Sequence, residues 1–161
     1  MRFFCDQMLG TLAIWLRFFG YDTTYIKQEI SDDDILVLAQ EEQRILLTRD
    51  KEMVQRANKR DIIVIFIDTI DLDEQLYTVF HKAKEIPKWD QVLSRCSLCN
   101  RLLKNVLPEQ IKDRVPPRVF ENQQEFWVCS CCKRVYWKGS HYDMMIKKIG
   151  KMIEELNKED N

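Results

Sequence analysis

Apolar and polar positions divide the chain into short runs and longer periodic stretches, and the two periods separate strands from helices. Arg2–Cys5 is an apolar run that stops at Asp6, the pattern of a first strand. Leu9, Leu12, Ala13, Leu16 and Phe19 then recur at helical spacing until Gly20, which predicts a helix with a glycine stop. Thr23–Ile26 is β-branched and aromatic, a second strand. Ser31 and Asp32 can cap a helix whose inner face is Ile35, Leu38 and Ala39. Arg44–Leu47 predicts a third strand and Lys51–Asn58 a helix. Asp61–Ile67 is nearly continuous in β-branched residues, as expected of a strand covered on both faces. Asp71 and Glu74 make a capping-box start for a helix through Leu76 and Phe80.

Strands alternating with helices imply an α/β fold, a parallel sheet with helices on both sides, over residues 1–88. Glu85–Leu93, with Pro87, is the expected boundary. Residues 94–141 hold two cysteine pairs and predict a small zinc ribbon. Residues 142–161 predict a C-terminal helix and tail, with Ile146, Ile149, Ile153 and Leu156 on one stripe. That stripe covers only about two heptads, so docking on the protein itself is expected rather than a coiled coil.

Composition agrees with a folded chain. At 45% hydrophobic residues, with four Gly and four Pro in 161, it can bury a core. The longest apolar run, Ile62–Ile67, is strand-sized, so no membrane span is predicted. The apolar N-terminus is interrupted by Asp6 and Arg17 and carries no small-residue cleavage site, which reads as folded structure and a cytoplasmic location. There, paired cysteines point to metal more than to disulfides. The net charge of −1 conceals a division: residues 1–93 carry 12 Lys/Arg against 17 Asp/Glu, and residues 94–161 carry 13 against 9. A basic half joined to an acidic half suggests that the basic part meets a polyanion.

Cys96-Ser-Leu-Cys99 and Cys129-Ser-Cys-Cys132 are the two pairs. Each CxxC turn points two thiolates at one ion, and two turns complete the tetrahedral S₄ set that structural zinc prefers. Cys131 is expected to be a spectator and Cys5 a core residue. Around the second pair stand Phe126, Trp127, Tyr136 and Trp137, interleaved with Lys133, Arg134 and Lys138. Aromatics beside cations suit stacking on unpaired bases while the cations meet phosphates. The same aromatics could equally fill the ribbon's small core, and alternation along a strand allows some to do each. His141 follows the last strand and reads as a surface group.

Three acidic positions fall where a parallel sheet places its ligand crevice. Asp6 follows the first strand, Asp32 to Asp34 open the second helix, and Asp50 follows the third strand. Each also stands where a helix cap belongs. As a group they suit magnesium or manganese, which activate water and neutralise a phosphodiester. Arg49 and Lys51 flank Asp50 as candidate phosphate contacts, Thr48 could orient it, and Asp68 at the end of the fourth strand is a further acid.

The stretch Phe4 to Asp22, the segment Arg44-Ile-Leu-Leu-Thr-Arg-Asp50 and the paired knuckles ending in Val135-Tyr-Trp-Lys-Gly-Ser-His141 resemble the Mut-seven C-terminal RNase family. The resemblance implies a PIN-like nuclease domain fused to a zinc ribbon, cutting RNA with carboxylate-bound magnesium or manganese. It places Asp6, Asp32 and Asp50 on the family's acidic positions, with Asp33 or Asp34 as alternates for Asp32, and the four knuckle cysteines on structural zinc. Ser130 and Cys131 stand where Pro and Gly are more usual. RNA is the expected substrate and DNA the alternative. A nucleic-acid-binding module without cleavage is the competing reading.

Overall fold

A computed structural model describes residues 1–159; the last residues of the expected tail, 160 and 161, lie outside the described residues. Four short strands, β1 (Arg2–Cys5), β2 (Asp22–Tyr25), β3 (Ile45–Thr48) and β4 (Val64–Phe66), form one parallel sheet in the order β2-β1-β3-β4. The chain moves outward from β1 to β2, then crosses back to pair β3 on the other side of β1. The strand order therefore reverses between β1 and β3. Four helices connect and cover this sheet: α1 (Gly10–Phe18), α2 (Asp32–Glu41), α3 (Lys51–Asn58) and α4 (Leu72–Ala83).

Local chemistry explains the element ends. Gly20 ends α1 at φ +92, where a Cβ would also run into the Gln91 carbonyl oxygen. The Ser31 side chain caps α2 by accepting from the Asp34 amide. Asp71 accepts from the Asp73 and Glu74 amides. The capping box foreseen there is incomplete, because the Glu74 carboxylate accepts from the Thr69 hydroxyl instead.

The run expected to be one long strand over Asp61–Ile67 is paired only over Val64–Phe66, since β4 is the sheet's edge and β3 is its one neighbour. Its side chains still serve both faces: Ile65 and Ile67 join the cluster under α1 and α4, and Ile62 the one under α2 and α3. Leu36 is fully buried in α2 and Leu38 only in part, a rotation of about one position from the face read off the sequence.

The second sheet is antiparallel, with β5 (Leu103–Val106), β6 (Phe126–Cys129) and β7 (Val135–Trp137) in sequential order. The excursion from β5 to β6 contains the short helix α5 (Pro117–Asn122). Helix α6 (Ser140–Glu159) follows at once. It starts earlier than its stripe suggested and buries Met145, Ile149, Met152 and Leu156 among residues of α1 and α4. Leu93, from the connecting segment, is buried in that same cluster. The parallel sheet, the connecting segment and the C-terminal helix thus share one apolar core.

Candidate active site and cysteine cluster

Asp6 and Asp50 meet through one threonine. Asp6 follows β1, and its carboxylate accepts from the Thr48 hydroxyl (2.5 Å), the Arg49 amide (3.0 Å) and the Met8 amide (2.9 Å). Thr48 ends β3, and its Oγ1 in turn accepts from the Asp50 amide at 3.0 Å. This fixes the hydroxyl proton toward Asp6. Asp6 is 6% exposed, while Asp50 is open to solvent and caps α3 by accepting from the Glu52 and Met53 amides. The pair sits at the C-terminal ends of β1 and β3, where strand order reverses, the position at which open α/β sheets bind ligands.

The acidic run on α2 is drawn elsewhere. Asp32 pairs with Arg56 at 3.0 Å, and Asp33 with Arg56 at 2.8 Å and Arg60 at 2.6 Å, both arginines lying on α3 or just past its end. Those two arginines hold the Asp33 carboxyl below its ordinary value through hydrogen bonds and charge. Asp34 accepts from the Ser31 hydroxyl at 2.6 Å. Asp68 is exposed and lines a cleft of about 800 Å³ along α4 and α6, which neither Asp6 nor Asp50 lines. Among the described residues, Asp6, Asp32 and Asp50 do not come together as a ready-made ligand set of the kind the four cysteines form.

Of the neighbouring cations, Lys51 lies over the Phe66 ring at 5.7 Å. Arg49 has its Nε buried with no acceptor among the described residues. A buried guanidinium N–H without a partner is costly, which makes it a donor poised for an anion.

The four knuckle cysteines converge. Cys96 and Cys132 Sγ lie 3.5 Å apart, Cys99 and Cys129 Sγ 3.2 Å apart, and all four ligand atoms fall within 4.8 Å of one another. A tetrahedral S₄ site with metal–sulfur bonds of about 2.3 Å spaces its sulfurs by roughly 3.8 Å, so the donor set and its dimensions fit zinc. Both knuckles use the same backbone bonds. Cys96 N donates to Arg101 O and Asn100 N to Cys96 O; Cys129 N donates to Arg134 O and Lys133 N to Cys129 O. Ser130 and Cys131 therefore do not disturb the turn.

The Tyr136 hydroxyl stands 3.1 Å from Cys96 Sγ. Burial opposes ionisation of Cys96, but hydrogen bonds from Tyr136 and from the Cys99 and Leu98 amides outweigh it and pull that thiol down to about 6. Cys131 is exposed and outside the cluster, and Cys5 is buried in the first strand, where burial pushes its thiol up.

The ribbon's cations differ in how they are engaged. Lys133 donates to Ser130 O, and Lys138 pairs with Glu125 at 3.1 Å and covers the Trp127 ring. Arg134 is exposed and makes no ion pair among the described residues. The strand alternation holds for the aromatics: Trp127 and Tyr136 face the shared core, whereas Phe126 and Trp137 face a cluster internal to the ribbon.

The sequence did not reveal how the two sheets are joined. Arg17, 4% exposed on α1, donates to Thr23 O and to the knuckle carbonyls of Ser97 and Leu98. Asn100 accepts from the Thr23 amide and donates to Asp22 at 2.7 Å. The one available signal was a charged residue in an otherwise apolar helix.

Carboxylates at the reversal point of a parallel sheet, joined to a four-cysteine ribbon, define an α/β protein with an acidic strand-end site and a basic module whose four cysteines could hold a zinc ion. The Mut7-C RNAse domain family matches residues 1–149, and the chain belongs to this family of nucleases. No curated protein and no solved structure matches the chain. No helix among the described residues is long and apolar enough to cross a membrane.

Proposed function

We propose that this protein is a metal-dependent ribonuclease whose residues 1–88 carry the chemistry, whose ribbon at 94–141 holds the strand, and which acts in the cytoplasm. The observation that carries the reading is the Asp6–Thr48–Asp50 constellation at the strand-order reversal. Asp6 keeps acceptor capacity beyond its three donors, and Asp50 spends one oxygen on the helix cap, which leaves the other for a cation. Magnesium or manganese bound there would activate water and neutralise charge on the phosphodiester. Thr48 orients both groups, and Arg49 offers its unpaired N–H to a phosphate oxygen. If the α2 run contributes a third acid, Asp34 is the member without an arginine partner among the described residues; Asp32 and Asp33 are neutralised by Arg56 and Arg60.

The competing reading, binding without cleavage, is favoured by one fact: Asp50 is a working helix cap. Asn caps helices as well as Asp, so Asp50→Asn separates the two roles. Zinc-loaded protein is incubated with end-labelled single-stranded RNA or DNA plus manganese, magnesium or chelator. Metal-dependent cleavage of RNA by the wild type and its loss in Asp50→Asn, with an unchanged melting temperature, is the expected result. Asp6→Asn is also expected to be inactive, but it destabilises by about 1–3 kcal/mol because its amide NH₂, whichever way it turns, faces a backbone N–H, that of Met8 or that of Arg49. An Asp50→Asn enzyme as active as the wild type would reduce Asp50 to a cap.

A further inference from the structure

The ribbon and α1 enclose a cavity of about 330 Å³, small enough for one nucleoside-sized group. Its walls come from α1 and from two consecutive elements more than a hundred residues later: Phe18 of α1, Tyr136 and Trp137 of β7, and Tyr142 in the first turn of α6. Phe18 and Tyr142 meet edge to face at 6.0 Å. Arg134 and His141 stand at the cavity as well, both exposed. Gly139 permits the arrangement: a Cβ there would fall 2.9 Å from Trp137 Nε1 and push the indole aside.

Helix α1 leads from the end of β1, where Asp6 stands, to the cavity. Gly10 opens that helix just beyond Asp6, and Ile14, 39% exposed, lies one turn further and lines the cavity with Phe18. At 1.5 Å rise per residue, Gly10 to Phe18 spans about 12 Å. Met8, 66% exposed, adds apolar surface beside Asp6. Aromatic walls, a cation unpaired among the described residues and a helix leading from the carboxylates match an unpaired base and its phosphate.

We propose that this cavity takes one unpaired nucleobase of a single-stranded substrate, its ring against Tyr136 and Tyr142 and its adjoining phosphate on Arg134, a few nucleotides from the bond at Asp6 and Asp50. The proposal rests on the nucleic-acid reading above and adds to it a composite base site shared by the catalytic sheet's first helix and the ribbon. The base is held by stacking, so the site tolerates different bases but needs a base to be there.

The test is abasic scanning. Binding of short labelled single-stranded RNAs, each lacking one base, is measured by anisotropy on zinc-loaded full-length protein with no added magnesium or manganese. One position, at a fixed distance from the cut, is expected to weaken binding by about tenfold, while the others change little. Gly139→Ala and Tyr142→Ala should erase that positional penalty, with zinc content unchanged.

Ile14→Glu places a negative charge at the cavity mouth on an exposed helical position. It should weaken binding at least about fivefold, whereas Val37→Glu, equally exposed on α2, should not. Position-independent losses, or wild-type binding by Ile14→Glu, would overturn the proposal and point to another occupant such as an aromatic side chain of a protein. If the wild type binds no single strand at all, the nucleic-acid reading falls and this site with it. If it binds with the positional signature but does not cleave with manganese, the base site stands and only the catalytic reading fails.

Discussion

Residue-scale chemistry is most exposed at the turn that closes each knuckle. The residue after the second cysteine adopts a left-handed backbone in both, Asn100 at φ 66 and Lys133 at φ 62. Asparagine tolerates that region; lysine pays a steric cost of about 1 kcal/mol or more there. Lys133→Gly is therefore expected to stabilise the ribbon by about 0.5–1 kcal/mol, seen as tighter zinc retention against a chelator series. A loss of retention would mean that the Lys133 side-chain bond to Ser130 O outweighs the strain.

At the scale of elements, the outer edge of the parallel sheet is closed by a loop of the other sheet. Strand β2 pairs β1 on one side only, and an open strand edge invites unwanted pairing. Asn100 fills part of that edge by accepting from the Thr23 amide, and Arg17 takes the Thr23 carbonyl. Asn100→Gly keeps the left-handed turn but removes the side-chain bonds. It should cost about 1–3 kcal/mol and expose the Thr23 amide to faster hydrogen exchange.

The same latch is pH-dependent through Asp22. Burial alone would raise its carboxyl, but hydrogen bonds from Arg44 and Asn100, with the charges of Arg44 and Arg95, hold it at about 2. A folded pKa below the unfolded value near 3.9 means the contribution is complete above that value and lost as pH falls toward 2, about 1–2 kcal/mol in all for this largely covered side chain. Comparing wild type with Asp22→Asn, the stability difference should be constant near neutrality and shrink across that acid window.

For the whole molecule, the cysteine cluster and the parallel sheet are coupled. Leu93 and the buried face of α6 belong to the cluster that also holds Phe3, Leu16 and Phe80, and the knuckle loop hydrogen-bonds to α1 and β2. Removing zinc should therefore lower the melting of the entire chain in one transition, because metal binding free energy is folding free energy in such modules. Calorimetry with and without chelator checks this. A chelated protein that shows an unshifted upper transition would mean the parallel sheet stands alone.

How much was legible in the sequence follows from range. The strand–helix alternation, the helix Lys51–Asn58, the Ser31 cap and the four cysteines were readable because period, cap chemistry and CxxC spacing are local, each set within a few residues. Asp6 and Asp50 were legible as candidates because each lies within two residues of a strand's C-terminal end. Tertiary structure alone decided that Thr48 bridges them, that Arg56 and Arg60 draw Asp32 and Asp33 to α3, and that β4 is an edge. It also decided that Arg17 and Asn100 bind the knuckle to β2, because these contacts join positions as many as 81 residues apart, and only strand order and the docking of one layer on another can set them.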